Sequence, residues 1–356
     1  LLRFKKAAMI SPLFSHLLIP FIVAMFLAIN MGGSGTAPSF SAAYGANIIR
    51  RLSIPGLFGI CVFAGAILAG KKVSMTMGRD LVDPENMTLV ITTIVLFSIS
   101  MSLFFANMLS VPQSTSQSSV FALLAVALYF GQQDFHLLLT EILPVWFVLP
   151  VISFLLMLGV TKLYAILKSR WKNLGNLEPG PHTTKILVLL SACYVAFSIG
   201  ANNVANAAGP IAGMMINELG IDPTDENSFT LIAIMATLLI APCFAIGSSL
   251  MGFRIVNATG KGIVQFGEKG AIAISVVTAS LLLLASVTKG IPTSLVQLNT
   301  FAIMALSISK TGWKKTVLHS TIHKFWLVWL VAPVFSFVLC YLLLNLAGYY
   351  GLLFYY

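Results

Sequence analysis

The chain has 356 residues, 58% of them hydrophobic and only 9% charged, against roughly 45–50% and about 25% in an average soluble protein. With 21 Lys and Arg and 11 Asp and Glu, it has too little charge to cover a water-soluble globule of this size, so the apolar excess must face lipid and a soluble fold is excluded. The net charge of +10 fits basic loops lying against anionic lipid and implies no nucleic-acid partner.

Arg3, Lys5 and Lys6 precede the first apolar stretch, with no small-residue cleavage site after it, and read as a cytoplasmic flank. Apolar runs then fall at residues 16–30, 54–70, 88–106, 120–131, 142–164, 185–199, 230–252, 271–287, 295–308 and 325–346. Several are shorter than the roughly 20 residues of a full span. The short runs adjoin tracts rich in Gly, Pro, Ser and Asn at 32–41, 110–119, 200–213 and 290–299. Irregular backbone at membrane depth survives only where protein buries it or where it lines a wet cavity, so the four tracts predict an internal polar site. Cys61, Cys193, Cys243 and Cys340 lie in apolar runs without CxxC spacing and indicate neither a zinc cluster nor a disulfide framework.

The tracts form two pairs because the chain repeats itself. Gly65, Gly70, Lys72, Val73, Gly78, Arg79 and Val82 match Gly247, Gly252, Arg254, Ile255, Gly260, Lys261 and Val264 at a constant offset of 182. Pro112, Ser114 and Gln117 match Pro292, Ser294 and Gln297 at 180, giving PxSxxQ twice. Gly32 and Ser34 align with Gly200 and Asn202 at 168, the difference being absorbed by the acidic loop NELGIDPTDENSFT. Residues 14–131 are therefore read as a first transmembrane repeat and 185–308 as a second. Between them, 132–184 supply a connecting helix and basic loop, and 309–356 a C-terminal helix.

Arg50 and Arg51 follow the first tract, whereas the matching loop carries Glu218, Asp222, Asp225 and Glu226 and no Lys or Arg. Under the positive-inside rule these loops lie on opposite sides of the membrane, which makes the repeats inverted, although the next pair of loops, around Lys71–Arg79 and Arg254–Lys269, is basic in both. Inverted repeats with paired interrupted segments are the pattern of secondary transporters. The expected fold is all-α, a multi-pass inner-membrane protein of about ten to twelve elements with broken helices and re-entrant hairpins.

The candidate substrate-binding residues are Ser34, Gly35, Thr36, Ser114, Thr115, Ser116 and Gln117 from the first repeat, and Asn202, Asn203, Asn206, Thr293, Ser294 and Gln297 from the second. They are mostly hydroxyls and amides. Helix N-termini beside them would add free N–H groups and a positive dipole end, so the set suits a compact tetrahedral oxyanion. For any single Ser or Thr the plainer explanation is close helix packing; the aligned recurrence of whole tracts favours a site. All eleven carboxylates fall between the spans or at their margins, so no intramembrane acid offers a proton relay or cation ligand.

Other motifs carry less. GAILAGKK, residues 65–72, approaches a P-loop, but Lys72 stands where Ser or Thr is required and no strand precedes it. His319 and His323 share helical i, i+4 spacing in a Lys-flanked interfacial segment and are not assigned a metal. Lys289 either faces a translocated anion or snorkels to the interface.

The run GANNVANAAGPIAG, Gly200–Gly213, resembles the signature GANDVANAxGP of the inorganic phosphate transporter family. The resemblance extends to the two-copy plan and to the PxSxxQ tracts, which stand where that family has PVSTTH-like turns. It implies an inverted-repeat symporter of phosphate or a related oxyanion, commonly a homodimer. Both signature aspartates are replaced, by Gly35 and Asn203, and the turn histidines by Gln117 and Gln297. The NxGxSGxA wording of Asn30–Ala37 is similar to that of sulfate permeases within the family.

Hydrogen phosphate carries a proton that a buried carboxylate accepts, whereas sulfate offers only acceptors and is repelled by the same group. A site of donors without an acid therefore suits sulfate, with inorganic phosphate as the alternative substrate. A membrane enzyme or scaffold is the competing class. No cofactor is expected. A proton is the favoured coupling ion because no carboxylate cages a cation; sodium is the other choice, with Asn30 and Asn203 as its candidate ligands.

Overall fold

The computed structural model describes residues 2–109, 111, 113–170, 180–253, 267–318 and 320–353. Pro112, His319 and the basic positions from Arg254 to Lys261 named above lie outside the described residues. Among those described there is no strand, as expected where backbone polar groups must be satisfied without water.

The chain forms α1 (Leu2–Gly45), α2 (Ile54–Ala69), α3 (Lys71–Met75) with a π-helical turn at Thr76–Asp80, and α4 (Leu89–Met108). The half-length α5 (Thr115–Tyr129) follows, then α6 (Leu143–Arg170) after a π-helical turn at Leu138–Ile142. Next come α7 (Pro181–Asn203), α8 (Ala205–Glu218), α9 (Glu226–Ile240) and α10 (Pro242–Gly247) with a π-helical turn at Ser248–Gly252. The chain closes with α11 (Gly267–Thr288), α12 (Leu295–Thr311), α13 (Trp313–Val317) and α14 (Ser320–Tyr349). Among the described residues, eight helical stretches are long and apolar enough to cross a membrane, and α5 and α12 are shorter.

The starts of these helices are written locally. Thr88 caps α4 by accepting the Ile91 N–H at 3.5 Å, and Asp225 caps α9 by accepting that of Asn227 at 3.0 Å. Pro55, Pro181 and Pro242 sit in first turns, where a missing N–H leaves no bond unmade.

The four polar tracts fall into three kinds. Residues 290–294, and the described part of 110–114, leave the helix and form turns at the heads of α12 and α5. Tract 200–213 is interrupted at Val204 alone. There the Ala207 N–H turns to the Val204 carbonyl at 3.1 Å, and the freed Asn203 carbonyl accepts from Asn206 Nδ2 at 3.1 Å. Tract 32–41 does not break: α1 runs through it, with Thr36, Ser39 and Ser41 each donating to the carbonyl four residues back at 2.7, 2.9 and 2.6 Å. Hydroxyls that satisfy themselves on their own helix allow a Gly- and Ser-rich segment to stay helical in lipid.

The sequence repeat reappears as matched contacts. A Cβ on Gly65 would stand 1.9 Å from the Phe197 carbonyl oxygen, and one on the matching Gly247 would stand 1.8 Å from that of Ile29, the residue 168 before Phe197. Likewise a Cβ on Gly200 would stand 2.0 Å from the Val62 carbonyl oxygen and one on Gly32 2.2 Å from that of Phe244. Each half thus seats its glycines against backbone of the other, an approach that only glycine permits. The two long trailing helices cross over as well: α6 packs on α12, and α14 on α5.

Candidate functional site

Two turns head the site. Ser114 (φ −84°, ψ 103°) and Ser294 (φ −92°, ψ 102°) have nearly the same backbone, and each Oγ accepts the N–H of the Gln three residues on, Gln117 or Gln297, at 3.3 Å. These are N-caps, and they leave the N–H groups of Thr115 and Ser116 on α5, and of Leu295 and Val296 on α12, without intrahelical acceptors. All four residues line one recess of about 330 Å³, counting its open mouth. Ser34, Gly35 and Pro38 of α1, Ile199 and Asn203 of α7, and Gln113, Ser114, Thr293 and Ser294 of the turns complete the wall. Two helix N-termini that share a recess place positive dipole ends and free donors on it, which is a setting for an anion. No carboxylate lines it.

Asn202 fastens this wall from behind. Its Oδ1 accepts from Ser116 Oγ at 3.2 Å and from the Thr293 N–H at 3.1 Å, while its Nδ2 donates to Ser286 Oγ at 2.9 Å and to the Ile291 carbonyl at 3.1 Å. One fully buried amide therefore ties the head of α5 to the turn before α12 and to α11. The Ser116 hydroxyl has one proton, shared between Asn202 Oδ1 and the Thr293 carbonyl at 3.2 Å each, and its oxygen receives Asn206 Nδ2 at 3.4 Å.

Three amide oxygens nearby have no donor: Gln113 Oε1, Asn203 Oδ1 and Asn206 Oδ1. Two of these orientations follow from the partners. Ser102 spends its hydroxyl proton on the Ala332 carbonyl at 3.0 Å and so can only accept from Gln113, which must present Nε2 to it at 2.9 Å. Asn206 presents Nδ2 to a backbone carbonyl, which can only accept. A buried polar atom left unpaired costs about 1–3 kcal/mol, a cost that water or a ligand relieves.

Of the thirteen substrate candidates, Ser34, Gly35, Ser114, Thr115, Ser116, Asn203, Thr293 and Ser294 line the recess. The rest stand off it. Thr36 packs against Gly252, Asn202 and Asn206 form the network behind the wall, and Gln117 and Gln297 bind each other at 3.2 Å. Asn30, a coupling-ion candidate, is fully buried in the contact of α1 with α4, where its carbonyl accepts from Asn107 Nδ2 at 2.9 Å. Lys289 meets Glu141 at 3.2 Å.

The profile of the phosphate transporter family matches residues 31–340. The chain belongs to this family. Among its relatives, the sulfate permease CysP of Bacillus subtilis (strain 168) is 30% identical over 336 residues, covering 93% of this chain and 89% of that protein. A putative phosphate permease of Thermococcus kodakarensis, TK2061, is 22% identical, covering 83% and 89%. In fold, the chain is similar to a solved structure described as the sodium-dependent phosphate transporter, with a TM-score of 0.80 at 20% identity, over 94% of this chain and 99% of that one.

Two residues of this phosphate-transporter-family chain escaped the sequence reading. Gln113 stands just before the first PxSxxQ serine, yet it sits at a position that the repeat leaves unmatched by another glutamine: its counterpart is Thr293. Trp146 of α6 donates Nε1 to the Pro292 carbonyl at 2.7 Å, from a segment read only as a connector. A signal for it was present: VWxxxPxxSF occurs at Val145–Phe154 and again at Val328–Phe337, at an offset of 183.

Proposed function

We propose that this membrane transporter is a symporter that carries a tetrahedral oxyanion, sulfate in preference to phosphate, together with a cation. The observation that carries the proposal is the pairing in one recess of two capped helix N-termini with amide oxygens that have no donor. The N-termini suit an anion that brings only acceptors. The acid-free wall, with Asn203 and Gly35 where the family signature has aspartate, favours sulfate over an anion that must donate a proton. The 30% identity to a sulfate permease over 93% of this chain supports the same choice.

The unpartnered oxygens support sodium as the coupling ion, in place of the proton favoured on the sequence alone. A neutral amide ligates a hard cation through its oxygen, but it holds no proton at neutral pH. Two of them, Gln113 Oε1 and Asn203 Oδ1, belong to residues that line the recess and would offer a cation neutral ligands that the anion's own oxygens complete. The sodium dependence stated for the structural neighbour agrees.

An inverted relation of the repeats, as alternating access requires, is supported by helix direction. Contacts of α1 with α10 and its π-helical turn advance together, from Gly32–Phe244 to Thr36–Gly252. The α9–α10 span runs back along α8 after a short loop, so α1 and α7 point in opposite directions. A homodimer follows from the family resemblance and is checked by the mass of the purified protein in detergent.

Purified protein in liposomes tests the whole proposal. Labelled sulfate should accumulate under an inward sodium gradient; absence of sulfate and phosphate accumulation under every imposed gradient would remove transport and favour an enzyme or scaffold.

A further inference from the structure

We infer that α6 is a clamp on the second turn of the site, with Trp146 and Ser153 as its positioning residues. The inference rests on the oxyanion-carrier proposal and adds residues that act through the turn. Trp146 is buried, stacks on Phe121 of α5 (centroids 6.5 Å apart, planes at 17°) and donates Nε1 to the Pro292 carbonyl at 2.7 Å. Two helical turns on, the fully buried Ser153 donates to the Leu298 carbonyl at 2.9 Å. Pro292 and Leu298 bracket Thr293, Ser294, Leu295 and Val296, the stretch that α12 contributes to the recess. One helix, α6, therefore holds the anion-facing turn at both ends, from either side of its internal Pro150, while the Trp146 ring leans on the helix that carries the opposite turn.

The crossover argues that the grip is part of the site's design. Trp146 and Ser153 belong to VWxxxPxxSF, and its second occurrence puts Trp329 and Ser336, both buried, on α14, which packs on α5. There the Ala332 carbonyl takes the proton of Ser102, and Ser102 in turn orients Gln113 toward the recess. Each trailing helix thus sets the geometry of a turn at the head of the half-length helix it packs on. In the second occurrence the Trp and Ser are buried again, but the Ser336 hydroxyl has no hydrogen-bond partner among the described residues, and α14 acts on its turn through the Ala332 carbonyl instead.

Trp146→Phe keeps an aromatic ring on Phe121, though a smaller one than indole, and removes the N–H donor. In proteoliposomes its sulfate KM should rise about three- to tenfold, the equivalent of one lost hydrogen bond, with the maximal rate per folded molecule little changed. The effect should shrink in an Asn202→Ala background, where the same turn has already lost its other tie. Unchanged KM with fewer folded molecules, or full additivity with Asn202→Ala, would overturn the clamp. Should Trp146→Phe fail to fold, Ser153→Ala carries the test, and an unchanged KM in that folded variant counts equally against it. If the wild type itself moves no oxyanion, the functional proposal fails separately. The clamp is then judged by hydrogen exchange at residues 293–298, which Trp146→Phe should accelerate relative to wild type and which an idle α6 would leave alone.

Discussion

Gln117 and Gln297 bind each other reciprocally, Nε2 of each donating to Oε1 of the other at 3.2 Å. They are the third residues of α5 and α12, and their backbone N–H groups already meet the caps Ser114 and Ser294. Because an amide has both a donor and an acceptor, two identical side chains related by the repeat can satisfy each other, which two carboxylates or two ammonium groups cannot. The pair therefore ties the heads of the two half-length helices together without adding charge beside the recess.

Replacing either glutamine by alanine breaks both bonds at once, a loss of about 1–3 kcal/mol. Each single variant should lower sulfate uptake by a similar factor while leaving the protein folded, and the double variant should be little worse than either single one. Uptake alongside thermal unfolding in detergent checks this; additive losses would mean that the two side chains act separately.

A second prediction concerns Asn203, whose Oδ1 is buried without a donor beside the recess. Asn203→Asp places a negative charge beside the proposed anion position, and at an effective dielectric near 20 two like charges about 4 Å apart repel by about 4 kcal/mol before relaxation. Sulfate affinity should fall at least about tenfold and phosphate affinity much less, since protonated phosphate donates to the new carboxylate. Competition of each anion against labelled sulfate gives the ratio, and equal losses would show that discrimination lies elsewhere.

What the sequence could disclose follows from which interactions are local. Ser114 and Ser294 were legible because a cap needs only a Ser and the next three residues, and PxSxxQ displays that unit twice. The roles of Thr36 and Ser34 were not, because a hydroxyl in a Gly-rich tract serves equally to cap an opened helix or to bond back four residues and keep it closed; Thr36 does the latter. Asn202 and Asn203 are adjacent and chemically identical, yet one is saturated by four partners and the other faces the recess. That difference lies in the helical rotation between neighbours and in partners some 84 to 91 residues away. Trp146 was missed because its repeat motif lies beyond the boundaries drawn for the two copies.

The matched glycines give a packing test. Gly65→Ala and Gly247→Ala each push a methyl group into backbone of another helix, at 1.9 and 1.8 Å, and should destabilise the protein by about 1–3 kcal/mol or prevent assembly. Gly159→Ala in α6 meets nothing within 4 Å and should be neutral or stabilising by up to about 1 kcal/mol. Thermal unfolding ranks the three; a tolerated Gly65→Ala would mean that α2 and α7 separate easily.

A pH effect is expected at the head of α9. The Asp225 carboxylate is held below its ordinary pKa, first by the Ser228 hydroxyl and then by backbone N–H groups. A depressed carboxylate contributes stability that is complete above its unfolded pKa and lost as pH falls through the lower folded value. Asp225→Ala should therefore melt below wild type at pH 7, and the gap should close in acid. A gap that persists with the carboxyl protonated would assign the cap to shape alone.

The last prediction concerns the driving ion. With Gly35 and Asn203 in place of two aspartates, the recess has no fixed negative charge, so a cation binds there only if the oxyanion supplies the charge and neutral oxygens supply the remaining coordination. Sodium and sulfate should then bind cooperatively, each raising the affinity of the other by the same factor. Replacing sodium with choline at a fixed inward proton gradient should abolish uptake, and a protonophore should leave sodium-driven uptake largely intact. Gln113→Met, which removes Oε1 at similar volume, should raise the sodium concentration needed for half-maximal uptake about tenfold, a change of about 1.4 kcal/mol, with less effect on sulfate at saturating sodium. Uptake that persists in choline and collapses with the protonophore would instead assign the coupling to protons, and the unpartnered oxygens of Gln113, Asn203 and Asn206 would then be partners of ordered water that relays them.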